Sequence, residues 1–161
     1  VMTVGFETHD HKACIDDMTA VAEAYCTRNK LKFTPTRRRV LEILLEEHKA
    51  IGAYDILDHL VREGRGSQPP IAYRALDFLV KHGFVHKIER LNAYIACAHP
   101  HENHSPAFMI CRVCDSVAEA CSVPSKGILG QAARDVGFRI ERTVVEAEGV
   151  CPKCADVAGV A

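Results

Sequence analysis

Two CxxC pairs with the same two-residue spacer, CRVC at Cys111 and Cys114 and CPKC at Cys151 and Cys154, constrain this chain more than any other feature. The spacer lets both thiolates of each knuckle face one ion at about 2.3 Å, so two pairs make a tetrahedral four-cysteine zinc site. The 36 residues between the pairs are too many for a compact zinc ribbon. The site is therefore expected to pin a terminal strand onto a folded domain. The 8 cysteines are even in number and would also permit disulfides. No charged start followed by an apolar run marks an export signal, however, and 161 residues can bury a core without staples, so a reducing cytoplasm is expected. A thiol redox pair is the competing chemistry, but a thioredoxin-like pair opens a helix after a strand. CRVC instead follows the strand-like AFMI and precedes another short strand. Cys14 and Cys26 fall on an amphipathic stretch and read as small core residues; Cys121 receives no role.

The chain divides into two unlike halves. DDMTAVAEAYCTRN, from Asp16 to Asn29, reads as a helix with Val21, Ala24 and Tyr25 on one face. FTPTRRRVLEILLEE carries a start signal in Thr34 as N-cap and Pro35 at the first helical position, with Val40, Leu41, Leu44 and Leu45 as its buried stripe. AYDILDHLVREG places Ala53, Ile56, Leu57 and Leu60 at helical spacing and stops at Gly64. PPIAYRALDFLVKHG again has proline at its entry and glycine at its exit. FVHKIE and NAYIAC alternate around a turn at residues 90–92, which predicts a hairpin. Four helices and a two-stranded hairpin make a winged helix-turn-helix, whose last helix is the one offered to a DNA major groove. On that helix Ala72, Leu76 and Leu79 point inward while Tyr73, Arg74, Asp77 and Lys81 share the opposite face. An outward arginine can read guanine through two hydrogen bonds, although an ordinary solvated face carries such residues too.

After Ala107 the pattern is that of a small α+β unit. AFMICRVC and SVAEAC predict two short strands, SKGILGQAARDVG a helix, and FRIERTVVEAEGVC one long alternating strand that is a candidate for pairing with a second subunit. The expected fold class is thus α+β, with a winged-helix DNA-binding domain over residues 14–98, a hinge over 99–105, and a dimerisation and metal-binding domain over 106–161. The longest run free of Asp, Glu, Lys and Arg is the 11 residues from Leu91 to His101, too short to cross a bilayer.

The whole-chain charge of −1 hides an asymmetry. Residues 26–90 hold 13 Lys and Arg against 8 Asp and Glu, a net of +5, whereas residues 1–25 carry −4 and residues 91–161 carry −2. The basic charge lies where phosphates would be met. A second set of metal-ligating residues runs from 86 to 119: His86, Cys97, His99, His101, Glu102, His104 and Glu119. Two histidines, one cysteine and one carboxylate drawn from it suit zinc. Thiolate disfavours magnesium, calcium and manganese, while iron(II) and cobalt(II) stay open. Such a site would straddle the hinge, as a sensor requires. No Ser-His-Asp set, phosphate loop or HExxH helix is present, so no enzyme activity is expected.

FTPTRRRVL, AYDILDHL, PPIAYRALDFLVKHGFVHKIE, NAYIACAHPHENH and the two CxxC pairs together resemble the ferric uptake regulator superfamily, and within it the zinc-sensing branch. The resemblance runs from about Cys14 to Cys154. It implies a homodimeric repressor that uses zinc as corepressor on operator DNA of zinc-uptake genes, with two zinc ions per protomer. It places structural zinc on Cys111, Cys114, Cys151 and Cys154, and regulatory zinc on His86, Cys97, His104 and Glu119. Arg74 and Tyr54 are implied near bases, with Tyr73 and the Arg37, Arg38, Arg39 stretch near the DNA backbone. Many members carry a further site whose last histidine lies late in the dimerisation domain; no histidine follows His104 here. An iron or peroxide sensor of the same superfamily is disfavoured by Cys97 and by that missing histidine. A thiol redox protein and a plain zinc-ribbon module are the alternatives of other classes.

Overall fold

The computed structural model describes residues 3–4, 11–46, 49–100, 105–123, 126–141 and 143–158. The chain forms two compact units. The first runs through α1 (His11–Arg28), α2 (Pro35–Glu46), α3 (Ala53–Arg62), α4 (Pro69–Lys81) and the antiparallel hairpin β2 (Val85–Ile88) and β3 (Ala93–Ala96). The second holds β4 (Ser105–Cys111), β5 (Val117–Ser122), α5 (Ile128–Asp135), β6 (Val145–Gly149) and α6 (Pro152–Ala158), together with a short N-terminal strand, β1 (Thr3–Val4).

Local chemistry sets the limits of the helices in the first unit. Thr34 Oγ1 accepts the backbone N–H of Arg37 at 3.3 Å, satisfying one of the donors left open at the start of α2. Pro69 opens α4, where its missing N–H costs nothing. Gly64 at φ 68° and Gly83 at φ 75° end α3 and α4 in the left-handed region that side chains avoid. The N–H of Arg65 then returns to the Leu60 carbonyl and that of Phe84 to Leu79. Asn92 adopts φ 46° in the hairpin turn, a conformation asparagine tolerates.

The core of this unit is one cluster. Val40, Leu41, Ile43 and Leu44 of α2 meet Ile56 and Leu60 of α3, Leu76 and Leu79 of α4, and Phe84 and Val85 at the foot of the hairpin. Ile51 bridges to β3 of the wing by exchanging two 2.8 Å hydrogen bonds with Tyr94. These elements form a winged helix-turn-helix. Two expected faces differ. On α2 it is Ile43 that is buried, and Leu45 only flanks the core. On α1 the inward residues are Thr19, Ala22 and Cys26, while Val21 and Ala24 are exposed. The alanines at 20, 22 and 24 give that helix little sidedness for a pattern to register.

In the second unit the sheet order is β1-β5-β4-β6. The β4 and β5 strands are antiparallel, whereas β4 and β6 run parallel, from Ala107 opposite Val145 to Cys111 opposite Gly149. The long strand expected over 138–151 is therefore shorter, covering five residues. A strand needs a ladder partner, and among the described residues β4 supplies one only for Val145–Gly149. The β1 strand pairs with β5 through Thr3–Ala120 and Val4–Glu119. Neither β1 nor α6 was anticipated. No helix of the described residues is long and apolar enough to cross a membrane.

Candidate metal centres and DNA-reading face

Parallel pairing of β4 with β6 builds the four-cysteine site. The two strands point the same way and end in register at Cys111 and Gly149, so each delivers its CxxC turn to the same edge of the sheet. The N–H of Arg112 donates to the Gly149 carbonyl at 2.9 Å, extending the ladder into the first knuckle. Asp115 turns that knuckle with φ 58°, its N–H returning to the Cys111 carbonyl at 2.9 Å. The second knuckle is closed by the N–H of Cys154 on the Cys151 carbonyl at 3.0 Å. The four Sγ atoms of Cys111, Cys114, Cys151 and Cys154 lie within 4.8 Å of one another.

Polar hydrogens around these sulfurs stabilise thiolate. The backbone N–H of Cys151 donates to Cys111 Sγ at 3.3 Å and lowers the Cys111 thiol to about 6, against the opposing effect of burial. Ser116 Oγ stands 3.1 Å from Cys114 Sγ and lowers that thiol as well. Cys154 goes the other way, raised by the neighbouring sulfurs of Cys151 and Cys114. Four clustered sulfurs cannot all ionise without a cation between them, and a divalent ion reverses that penalty. An all-sulfur tetrahedral donor set fits zinc. Ser116 is a participant that the sequence pattern did not single out.

Of the second ligand set, two residues come together within the first unit. His86 on β2 pairs with Ile95 on β3, and Cys97 lies two residues beyond Ile95. Residues two apart on a strand share a face, so His86 and Cys97 are diagonal neighbours. Their ligand atoms lie within 4.8 Å. Cys97 is 1% exposed, and its N–H donates to the Phe84 carbonyl at 2.9 Å, which holds the thiol at the foot of the wing. In the second unit, Glu119 is buried on β5. His104, with His101 and Glu102, lies outside the described residues.

The DNA-facing candidates fall into two groups. Tyr73, Arg74, Asp77 and Lys81 are all exposed on α4, and Tyr54 is 67% exposed on α3. The three consecutive arginines of α2 differ, because each already has a protein partner. The Arg37 guanidinium lies 3.6 Å from the Phe78 ring centroid and donates to the Lys32 carbonyl. Arg38 pairs with Glu23 of α1 at 2.6 Å. Arg39 is held by Glu63 at 2.7 Å, Glu46 at 2.7 Å and Glu42 at 3.2 Å. A run of positive charge carries no sign of these partners.

The sequence model of the ferric uptake regulator family matches residues 28–148. The zinc uptake regulation protein of Escherichia coli (strain K12) is 37% identical over 147 residues, which is 91% of this chain and 86% of that protein. A zinc uptake regulator solved in complex with zinc and DNA is similar at a TM-score of 0.84 and 37% identity, over 90% of this chain and 97% of that one. The crystal structure of holo XcZur is similar at a TM-score of 0.77 and 38% identity, over 87% and 98% of the two chains.

Proposed function

The chain belongs to the ferric uptake regulator family, and from that premise we propose that it is a zinc-responsive transcriptional repressor acting as a homodimer on operator DNA of zinc-uptake genes. The observation that carries the choice of metal is the meeting of Cys97 with His86 at the foot of the wing. Thiolate and imidazole together favour zinc over ions that prefer oxygen. In this reading His86, Cys97, His104 and Glu119 hold the regulatory zinc, and the four clustered cysteines hold a structural one, two per protomer. Zinc binds the DNA-competent state better than its alternatives and so populates it. A tenfold shift needs about 1.4 kcal/mol of differential affinity, small beside metal-site energies.

Arg74 and Tyr54 are the proposed base-reading residues and Tyr73 a backbone contact, all three presented by exposed helix faces. The part assigned to Arg37, Arg38 and Arg39 narrows, since their side chains are engaged within the fold. The homodimer finds support in the second unit, where Ile128 (92% exposed), Val136 and Phe138 present apolar surface. The reading assigns the protein to the cytoplasm and gives it no catalytic step. Metal analysis tests the count. Purified protein holds two zinc ions per protomer and Cys97→Ala holds one, whereas an unchanged content in Cys97→Ala contradicts the assignment.

A further inference from the structure

We propose that Arg37 is a positioning residue for DNA reading, acting through Phe78, and does not contact phosphate. The inference rests on the DNA-binding function proposed above. Arg74, Phe78 and His82 are spaced four residues apart, so they form one stripe along α4 and the turn that ends it. The upper end of the stripe, Arg74, is exposed, whereas Phe78 and His82 are half-buried. Phe78 is held from two sides. The Arg37 guanidinium of α2 lies 3.6 Å from its ring centroid, and the His82 ring packs at 4.6 Å. His82 in turn meets Tyr25 of α1, with the Tyr25 hydroxyl 3.5 Å from His82 Nδ1. These contacts add to the buried Ala72, Ala75, Leu76 and Leu79 in holding the rotation of α4 about its own axis, which sets where Arg74 points.

Arg37 is itself anchored. Its backbone N–H is capped by Thr34 Oγ1 and its side chain donates to the Lys32 carbonyl. With its face on the Phe78 ring and one of its five N–H groups on the Lys32 carbonyl, the guanidinium is held in one orientation within the fold. Its neighbours diverge: Arg38 reaches α1 and Arg39 reaches the end of α3 at Glu63. The three arginines thus tie α2 to three different helices, and only Arg37 acts on the helix that bears Tyr73 and Arg74.

The test uses the full zinc-loaded chain, a duplex that the wild type selects from a random-sequence library, and an unrelated duplex of equal length. Arg37→Lys keeps the charge and loses the planar stack. It weakens binding to the selected duplex about two- to fivefold. Affinity for the unrelated duplex, and the slope of log affinity against log salt, stay at wild-type values. Phe78→Leu does the same, and the double variant loses no more than the larger single effect. The inference is overturned if Arg37→Lys binds both duplexes like wild type while Arg37→Ala weakens both alike and lowers the salt slope by about 0.9, or if the Arg37 and Phe78 effects add. Where Arg37→Ala fails to fold, the lysine variant decides. A wild type that enriches no duplex defeats the DNA-binding function itself, and this inference with it.

Discussion

The backbone N–H of Cys151 donates to the sulfur of Cys111, 40 positions earlier in the chain, at 3.3 Å. That bond exists because β4 and β6 run parallel and end in register. Each knuckle thus supplies two sulfurs, and the second also supplies a backbone N–H that stabilises thiolate at Cys111 of the first. The arrangement is the basis for the structural zinc proposed at these cysteines.

Replacing Cys151 with Ser removes one thiolate and leaves three clustered sulfurs without a full ligand set. Structural zinc contributes about 10 kcal/mol or more to small metal-bound domains. The variant is expected to lose one zinc and to unfold or fall apart into monomers, read by metal analysis and sedimentation. A stable dimer lacking one zinc contradicts the structural role.

Chelation gives a second reading of the same site. In zinc-loaded protein Cys111, Cys114, Cys151 and Cys154 resist alkylation, and stripping the metal exposes them. A redox dithiol behaves differently, because its thiolate reacts at once without any chelator.

Leu76 is fully buried where α4 packs on α2 and α3. Leu76→Ala should cost about 2–5 kcal/mol through lost transfer energy and the cavity left behind. The loss appears as a lower urea midpoint for the winged-helix unit. A change under about 1 kcal/mol would mean that the site collapses around the smaller side chain.

Arg39 holds the Glu63 carboxyl below the usual carboxylate range through its hydrogen bonds, with burial opposing and Arg65 assisting. A depressed folded-state value stabilises the fold above the ordinary carboxylate range, and that stability is lost as pH falls through the depressed value. Glu63 is 31% exposed, so screening keeps the pair to about 1 kcal/mol or less. Glu63→Gln should lower stability near neutral pH and flatten the acid limb of a pH–denaturation series. An unchanged acid limb would show that the pair contributes nothing.

Much of the winged helix was legible because its signals are local. Thr34 and Pro35 mark a helix start, Gly64 and Gly83 mark ends, and Ala53, Ile56, Leu57 and Leu60 repeat with a helix's period. The CxxC spacing was equally legible, since it encodes geometry within each turn. The inward face of α1 was not, because alanines surround it. The extent of β6 was hidden too, since alternation shows that a segment can be a strand and says nothing of how much partner it finds. Glu23, Glu63 and Phe78, which engage Arg38, Arg39 and Arg37 from other parts of the fold, lie 15, 24 and 41 residues away in sequence. A charge run carries no trace of such long-range engagement.

Arg74→Ala offers a direct check on the reading face. A bidentate contact to one base contributes about 1–3 kcal/mol of discrimination. Loss of Arg74 should weaken the selected duplex about tenfold or more and relax preference at one position of each half-site. Equal loss on selected and unrelated duplexes would assign Arg74 to phosphate instead.

Zinc is the proposed signal. Fluorescence anisotropy of a labelled, selected duplex, followed against buffered free zinc, iron(II) and manganese(II), tests it most directly. Zinc is expected to drive wild-type binding, iron(II) and manganese(II) are expected not to at comparable free concentrations, and Cys97→Ala is expected to stay folded yet lose the zinc response. Binding driven by iron(II) and indifferent to zinc would contradict it.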